Sequence, residues 1–258
     1  MPDRDLDLLT HAARRAGEIA ARYFRTEQKV WNKAGGQGPV SEADLEIDAM
    51  LRETLLAARP QYGWLSEETA DDPARLERER VFIVDPIDGT RAFVRGLETF
   101  AHSLAVAQRG RVVSAVVFLP EKGLLYSACA GGGAFLNDRQ LAHLGRTEIA
   151  GAQVLAAAPQ LSPDLWPGGV PPVERHSCPS LAYRLCLVAQ GRYDAMITLR
   201  DAWEWDIAAG ELICREAGVT TSDRFGADLG FNSPDPRTKG VIAASLALHH
   251  GFLSLLRG

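Results

Sequence analysis

Four consecutive apolar residues, Val81, Phe82, Ile83 and Val84, run straight into two aspartates in "VFIVDPIDGTRAF". Such a run reads as a strand buried on both faces, so Asp85 sits where that strand leaves the core. Pro86 removes a backbone donor and keeps Asp85 out of the helical region, while Gly89 permits a tight backbone path. These residues predict a strand-to-helix corner at which Asp85 and Asp88 face one another. Two carboxylates so placed repel unless one takes up a proton or a cation lies between them.

The flanking sequence predicts helices first and sheet afterwards. Leu6, Leu9, Ala13, Ala16, Ile19, Ala20 and Tyr23 keep the three-and-four spacing of an amphipathic helix. After a break at "NKAGGQGPV", Ser41 can cap a second helix that has Asp44 in its first turn and continues to Pro60. Two helices thus precede any sheet. From residue 62, "YGWLSEE" and "RVFIVDP" read as strands. "SLAVAQRGRVVSAVVFLPEKGLLYSACAGGGAFLN" reads as an antiparallel meander with Arg-Gly, Pro-Glu-Lys-Gly and Gly-Gly-Gly turns. Beyond about residue 150 strands and helices alternate: "QVLAAA", "SLAYRLCLVAQG", "YDAMIT", "EWDIAAGELICREAG", "GVIAAS" and "ALHHGFLSLLR". The fold class is α/β of the α+β kind, with an N-terminal half at 1–150 and a C-terminal half at 151–258 in one compact unit.

A chain of 258 residues, 46% of them apolar, can fill a large core. Its formal net charge of −5 and scattered lysines and arginines argue against nucleic acid as a partner. Cys129, Cys178, Cys186 and Cys214 form no Cys-x-x-Cys pair and read as reduced thiols. The acidic, helix-periodic N-terminus is no signal peptide, and no apolar run approaches 18 residues, so a cytoplasmic protein with no membrane partner is expected.

A divalent cation would remove the repulsion between Asp85 and Asp88. Carboxylates, supplemented by a backbone carbonyl such as that of Ile87, suit Mg²⁺, which keeps waters and binds phosphate. The amides of Gly89 and Thr90 would open a helix, and a helix N-terminus is a ready phosphate site. The bland alternative is a turn with capping aspartates. Glu67 and Glu68 in "WLSEET", Asp44 in "PVSEAD" and Asp206 in "WEWDIAAG" each read, taken singly, as a solvated acid or a cap. No Gly-x-x-x-x-Gly-Lys-Ser/Thr sequence is present, and Gly131, Gly132 and Gly133 read as a hairpin turn. The spacing Asp-x-x-Asp also departs from the Asp-x-Asp of haloacid-dehalogenase-like phosphatases.

Taken together, "WLSEE", "DPIDGT" and "WDIAAG" in that order resemble the inositol monophosphatase family of Mg²⁺-dependent, lithium-sensitive phosphatases, over almost the whole chain. The resemblance implies a layered αβαβα sandwich, a homodimer and a metal site between the sheet layers. It implies that Glu67, Asp85 and the Ile87 carbonyl hold a first Mg²⁺, and that Asp85, Asp88 and Asp206 hold a second. Glu67 would also reach toward a third ion. Asp44 and Thr90 match the pair that orients an attacking water, and Lys33 aligns with a basic residue near the site. Asp88, Gly89 and Thr90 would meet the phosphate.

The substrate implied is a small phosphorylated metabolite. Family members that act on inositol phosphate carry a glutamate where this chain has Leu199, which cannot accept hydroxyl hydrogen bonds. "SLAYRLCLVAQGRYDA" is similar to the bacterial 3'(2'),5'-bisphosphate nucleotidase branch, and Arg184, Arg200 or Arg192 could meet a second phosphate. Inositol 1-phosphate, histidinol phosphate and sugar bisphosphates stay open as alternatives, as does a non-catalytic protein that binds a phosphate ligand or a partner. His102 reads as structural, His249 and His250 as exposed, Trp205 as the family's packing tryptophan, and Trp203 as either core or pocket wall.

Overall fold

The two expected helices form as α1 (Pro2–Tyr23) and α2 (Glu42–Ala58) in this computed structural model, which describes residues 2–33, 38–143 and 145–258. Leu9, Ala13, Ala16 and Ala20 of α1 are buried on one face, as their spacing requires. At the start of α2 the Asp44 carboxylate accepts the Ser41 backbone N–H at 2.8 Å, half of a capping box. Between the helices lies a two-stranded antiparallel ribbon, β1 (Val30–Asn32) and β2 (Pro39–Ser41). The expectation that two helices precede any sheet is therefore corrected: strands of three residues are too short to leave a periodic signal. Part of the "NKAGGQGPV" break, residues 34–37, lies outside the described residues.

β3 (Gly63–Ser66) and β4 (Arg80–Asp88) pair in parallel, and a short helix α3 (Thr90–Val94) follows. The meander then runs through β5 (Ala101–Gln108), β6 (Arg111–Leu119), β7 (Leu124–Cys129), β8 (Gly133–Leu136) and β9 (Arg139–Leu141). All seven strands form one sheet in the order β3-β4-β5-β6-β7-β8-β9.

The second half contains β10 (Gln153–Leu155), β11 (Glu174–His176), α4 (Leu181–Ala189), β12 (Ala195–Thr198), β13 (Ala202–Trp203) and α5 (Glu204–Glu216). It ends with β14 (Thr220–Ser222), β15 (Arg237–Thr238), β16 (Val241–Ala244) and α6 (Leu246–Arg257). Five of these strands form a mixed sheet in the order β11-β10-β12-β16-β14, and β13 pairs with β15 in a separate ribbon. The expected alternation is present, with β11, β13, β14 and β15 as additions of two or three residues each.

The β4 run now has its explanation. Phe82 and Val84 join the core formed with α1 and α2, whereas Val81 and Ile83 join the core formed with α4 and α5. That second core also takes in Met196 and Ala243 from the five-stranded sheet, whose far face packs through Ile197 and Ile242 on Leu248 and Phe252 of α6. The layers are α1/α2, seven-stranded sheet, α4/α5, five-stranded sheet and α6, the αβαβα order. The ends of β3 and β4 and the starts of α4 and α5 meet at one edge of this sandwich, where the acidic residues gather.

Candidate active site

The turn after β4 is shaped by its own backbone. Pairing of β4 with β5 shifts register between Asp85 and Asp88, a bulge at Pro86 that re-aims both carboxylates. Gly89 then takes φ +96°, a left-handed conformation suited to glycine, and caps α3. From below, His102 donates through Nδ1 to the Pro86 carbonyl at 2.5 Å. Burial pushes its pKa down to about 4, so the ring is a neutral buttress, the structural role expected of it.

Each carboxylate is placed by a different element. Glu67 and Glu68 follow β3, in a turn locked by Asp48, which accepts Ser66 Oγ at 2.5 Å and Thr69 Oγ1 at 2.5 Å. Lys33 Nζ bridges the pair, 2.6 Å from Glu67 Oε1 and 2.6 Å from Glu68 Oε1. Burial nonetheless pushes Glu68 up to about 7. Asp44, in the first turn of α2, accepts Thr90 Oγ1 at 3.0 Å and is pushed up to about 6 by burial. Thr90 Oγ1 also lies 3.1 Å from the Ile87 carbonyl. Asp206 stands in the first turn of α5, and Ser103 Oγ donates to the Trp205 carbonyl at 3.0 Å, tying that turn to β5.

Glu67, Asp85 and Asp206 bring one oxygen each within 4.8 Å of one another. Among the described residues, the buried Oδ1 of Asp85 has no hydrogen-bond partner. Burial first, and then the charges of Glu67, Asp88 and Asp206, hold the Asp85 carboxyl well above the usual carboxylate range. A set of hard oxygens around an orphaned buried acceptor fits a small divalent cation such as Mg²⁺. Asp88 stands apart from this group of three. Its Oδ2 accepts Ser180 Oγ at 2.7 Å and the Ala182 N–H at 2.6 Å, at the start of α4. Its second oxygen has neither contact.

These residues floor a cleft of about 520 Å³ whose wall includes Gly89, Arg91, Arg184, Arg200, Asp201 and Trp203. A larger groove of about 690 Å³ between β14 and α6 has Asp228 as the single acid in its lining, so the carboxylate cluster belongs to the smaller cleft. Arg184 donates Nε to the Cys178 carbonyl at 2.5 Å, and neither it nor Arg200 forms an ion pair among the described residues. Arg192 is exposed in the turn after α4 and does not line the cleft. Leu199 is buried in the core beneath α6, facing away from the cleft. Trp203 and Trp205 stack with ring centroids 4.7 Å apart, both on the cleft wall.

One histidine departs from expectation. His249 is buried, not exposed, with Nε2 2.7 Å from Ser222 Oγ; His250 is exposed. The partner of His249 is a hydroxyl 27 residues away across the β14–α6 packing, beyond the reach of any local pattern.

The inositol monophosphatase family's model matches residues 2–257. The chain belongs to the inositol monophosphatase family. It is 37% identical over 232 residues to an inositol-1-monophosphatase of Rhizobium meliloti, covering 86% of each chain. It is 32% identical over 232 residues to Nus factor SuhB of Escherichia coli, covering 86% of this chain and 85% of that one. The crystal structure of the extragenic suppressor protein suhB from Bartonella henselae superposes with a TM-score of 0.83 at 28% identity, covering 98% of both chains. The protein is thus a phosphoric monoester hydrolase of a family whose members generally use Mg²⁺, with a small phosphate ester as substrate. Among the described residues, no helix is long and apolar enough to cross a membrane.

The sequence reading missed Ser180, Asp48 and Asp201. Ser180 and Asp48 act through partners 92 and 18 residues away, which no local pattern reveals. Asp201 follows directly on Arg200, and its place on the cleft wall depends on a ribbon partner more than thirty residues further along the chain.

Proposed function

We propose that the protein is a Mg²⁺-dependent phosphatase that removes the 3'-phosphate of a nucleoside 3',5'-bisphosphate by attack of water, without a phosphoenzyme. The orphaned Oδ1 of buried Asp85, at the floor of an acidic cleft, is the observation that carries the metal-dependent reading. Glu67, Asp85 and the Ile87 carbonyl would hold a first ion, Asp85, Asp88 and Asp206 a second, and Glu67 would reach a third. Mg²⁺ bound there supplies charge neutralisation on the phosphate and a lowered pKa for the attacking water.

The chain's own residues supply orientation. Asp44 accepts the Thr90 hydroxyl hydrogen, leaving the Thr90 oxygen free to accept from a water and aim its lone pair at phosphorus. The Gly89 and Thr90 amides, at the start of α3, would meet the equatorial phosphate oxygens. Lys33 holds Glu67 in place. The two halves of the chain, 1–150 and 151–258, act as one catalytic unit, because Asp206 and Arg184 come from the second half.

Arg184 and Arg200, both on the cleft wall and neither ion-paired among the described residues, support a substrate with a second phosphate. Inositol 1-phosphate is the second reading, favoured by the name of the Rhizobium meliloti relative. A homodimer and a cytoplasmic location belong to the same proposal; sedimentation would check the first and fractionation the second. The deciding experiment is phosphate release with Mg²⁺ from adenosine 3',5'-bisphosphate, inositol 1-phosphate, histidinol phosphate and fructose 1,6-bisphosphate. Highest kcat/KM on the adenosine compound supports the proposal, and highest on inositol 1-phosphate replaces it with the second reading. Ligand binding without release from any of the four turns the protein into a binding module.

A further inference from the structure

Five acids line the cleft, and four of them are accounted for. Glu67, Asp85 and Asp206 form the carboxylate group, and Asp88 is bonded to the start of α4. The fifth, Asp201, belongs to the wall of the cleft. Asp201, Ala202 and Trp203 follow one another along the cleft lining, with Ala202 buried between its two larger neighbours.

That wall is firmly built. Ala202 pairs with Thr238 and Trp203 with Arg237 in the β13–β15 ribbon. The Arg237 guanidinium lies 5.4 Å over the Trp203 ring, whose stacking on Trp205 is nearly parallel, at 9°. Asp201 is itself fixed by two cations, with Lys239 Nζ 3.0 Å from Oδ2 and an Arg224 nitrogen 3.5 Å from Oδ1. The same Arg224 nitrogen donates to the Leu199 carbonyl at 2.6 Å, which anchors the segment two residues earlier. A carboxylate offers about four lone-pair positions, so one cation at each oxygen leaves acceptor capacity on both. The side chain remains 31% exposed.

We infer that Asp201 is a specificity-determining acceptor for a free hydroxyl on the leaving-group alcohol. An ionised carboxylate accepts hydrogen bonds and repels phosphate, so it reads a hydroxyl and not the second anionic group assigned to Arg184 and Arg200. The inference rests on the phosphatase reading of the cleft and names one feature of its substrate: an alcohol bearing a hydroxyl beside the ester, as in a polyol or a ribose.

Matched substrates with and without the hydroxyl test this. Inositol 1-phosphate against cyclohexyl phosphate probes the polyol arm. Adenosine 3',5'-bisphosphate against its 2'-deoxy analogue probes the ribose arm. With the full chain and saturating Mg²⁺, Asp201→Ala is expected to lower the ratio of kcat/KM, hydroxylated over bare, by about 10- to 100-fold in the arm that matches the natural substrate. Asp201→Glu should recover part of the ratio, which a purely structural role would not require. Equal losses on both members of each pair, or no loss on any, would overturn the inference and leave the phosphatase reading standing. No turnover of any of the four compounds by the wild type would overturn both. Asp201→Leu, branched at the same carbon but without an acceptor, gives the same comparison if the alanine variant folds poorly.

Discussion

Replacing Asp85 by asparagine should abolish turnover and yet make the metal-free protein more stable. Asp85 is 1% exposed, with two other carboxylate oxygens no more than 4.8 Å away. At an effective dielectric of about 20, two unit charges at that separation cost about 3.5 kcal/mol. The protein can instead hold Asp85 protonated. At pH 7.5 that route costs at most about 5 kcal/mol, since the unfolded carboxyl ionises near 3.9 and each pH unit is worth about 1.36 kcal/mol. Asparagine escapes both costs, so about 3 kcal/mol of stability, and at ~2–4 °C per kcal/mol a Tm about 6–12 °C higher, is expected in EDTA at pH 7.5. The gain depends on pH. Because the folded-state pKa of Asp85 is raised, its favourable contribution is fully present below the unfolded value near 3.9 and is lost as pH rises toward the folded value. The gap between variant and wild type should therefore open from near zero at about pH 4, at up to about 1.4 kcal/mol per pH unit. Mg²⁺ at 100 times its Kd should stabilise the wild type by about 2.7 kcal/mol and the variant by much less. The assay is thermal unfolding from pH 4.5 to 8, in EDTA and in Mg²⁺. A variant less stable than wild type in EDTA at pH 7.5, or one that gains as much from Mg²⁺, would refute the reasoning.

Other perturbations have narrower readouts. Thr90→Val removes the hydroxyl shared with Asp44 and Ile87, so kcat should fall about 10²-fold while the Mg²⁺-induced rise in Tm persists. Gly240→Ala should cost about 3 kcal/mol in chemical denaturation, because φ is +81° and a Cβ would lie 2.5 Å from the Thr198 carbonyl oxygen. Arg184→Leu should raise KM for adenosine 3',5'-bisphosphate about 10- to 100-fold and leave KM for inositol 1-phosphate within about 3-fold; equal effects on both would remove Arg184 from second-phosphate recognition.

What could be read in advance was what is local. The β4 run was legible because both faces of that strand are buried, so its apolar residues are contiguous. The helices α1 and α2 were legible from spacing and from the Ser41–Asp44 cap. The carboxylates cluster by motif, and three of them meet in space. The ribbon of β1 and β2 and the short strands β11 and β14 were not legible, because three residues complete no pattern. Burial of His249, the engagement of Asp88 by Ser180 and the place of Asp201 on the wall all depend on distant partners. Leu199 was correctly read as unable to accept a hydrogen bond, but its packing beneath α6 required the five-stranded sheet.

The most direct test of the metal-dependent phosphatase site is release of inorganic phosphate from adenosine 3',5'-bisphosphate and inositol 1-phosphate as Mg²⁺ is titrated, for the wild type beside Asp206→Asn. The account predicts release by the wild type that rises from zero in EDTA and saturates with Mg²⁺, and a variant that needs far more Mg²⁺ or fails altogether. Wild-type release that persists undiminished in EDTA, or a variant with the wild-type Mg²⁺ dependence, would contradict it.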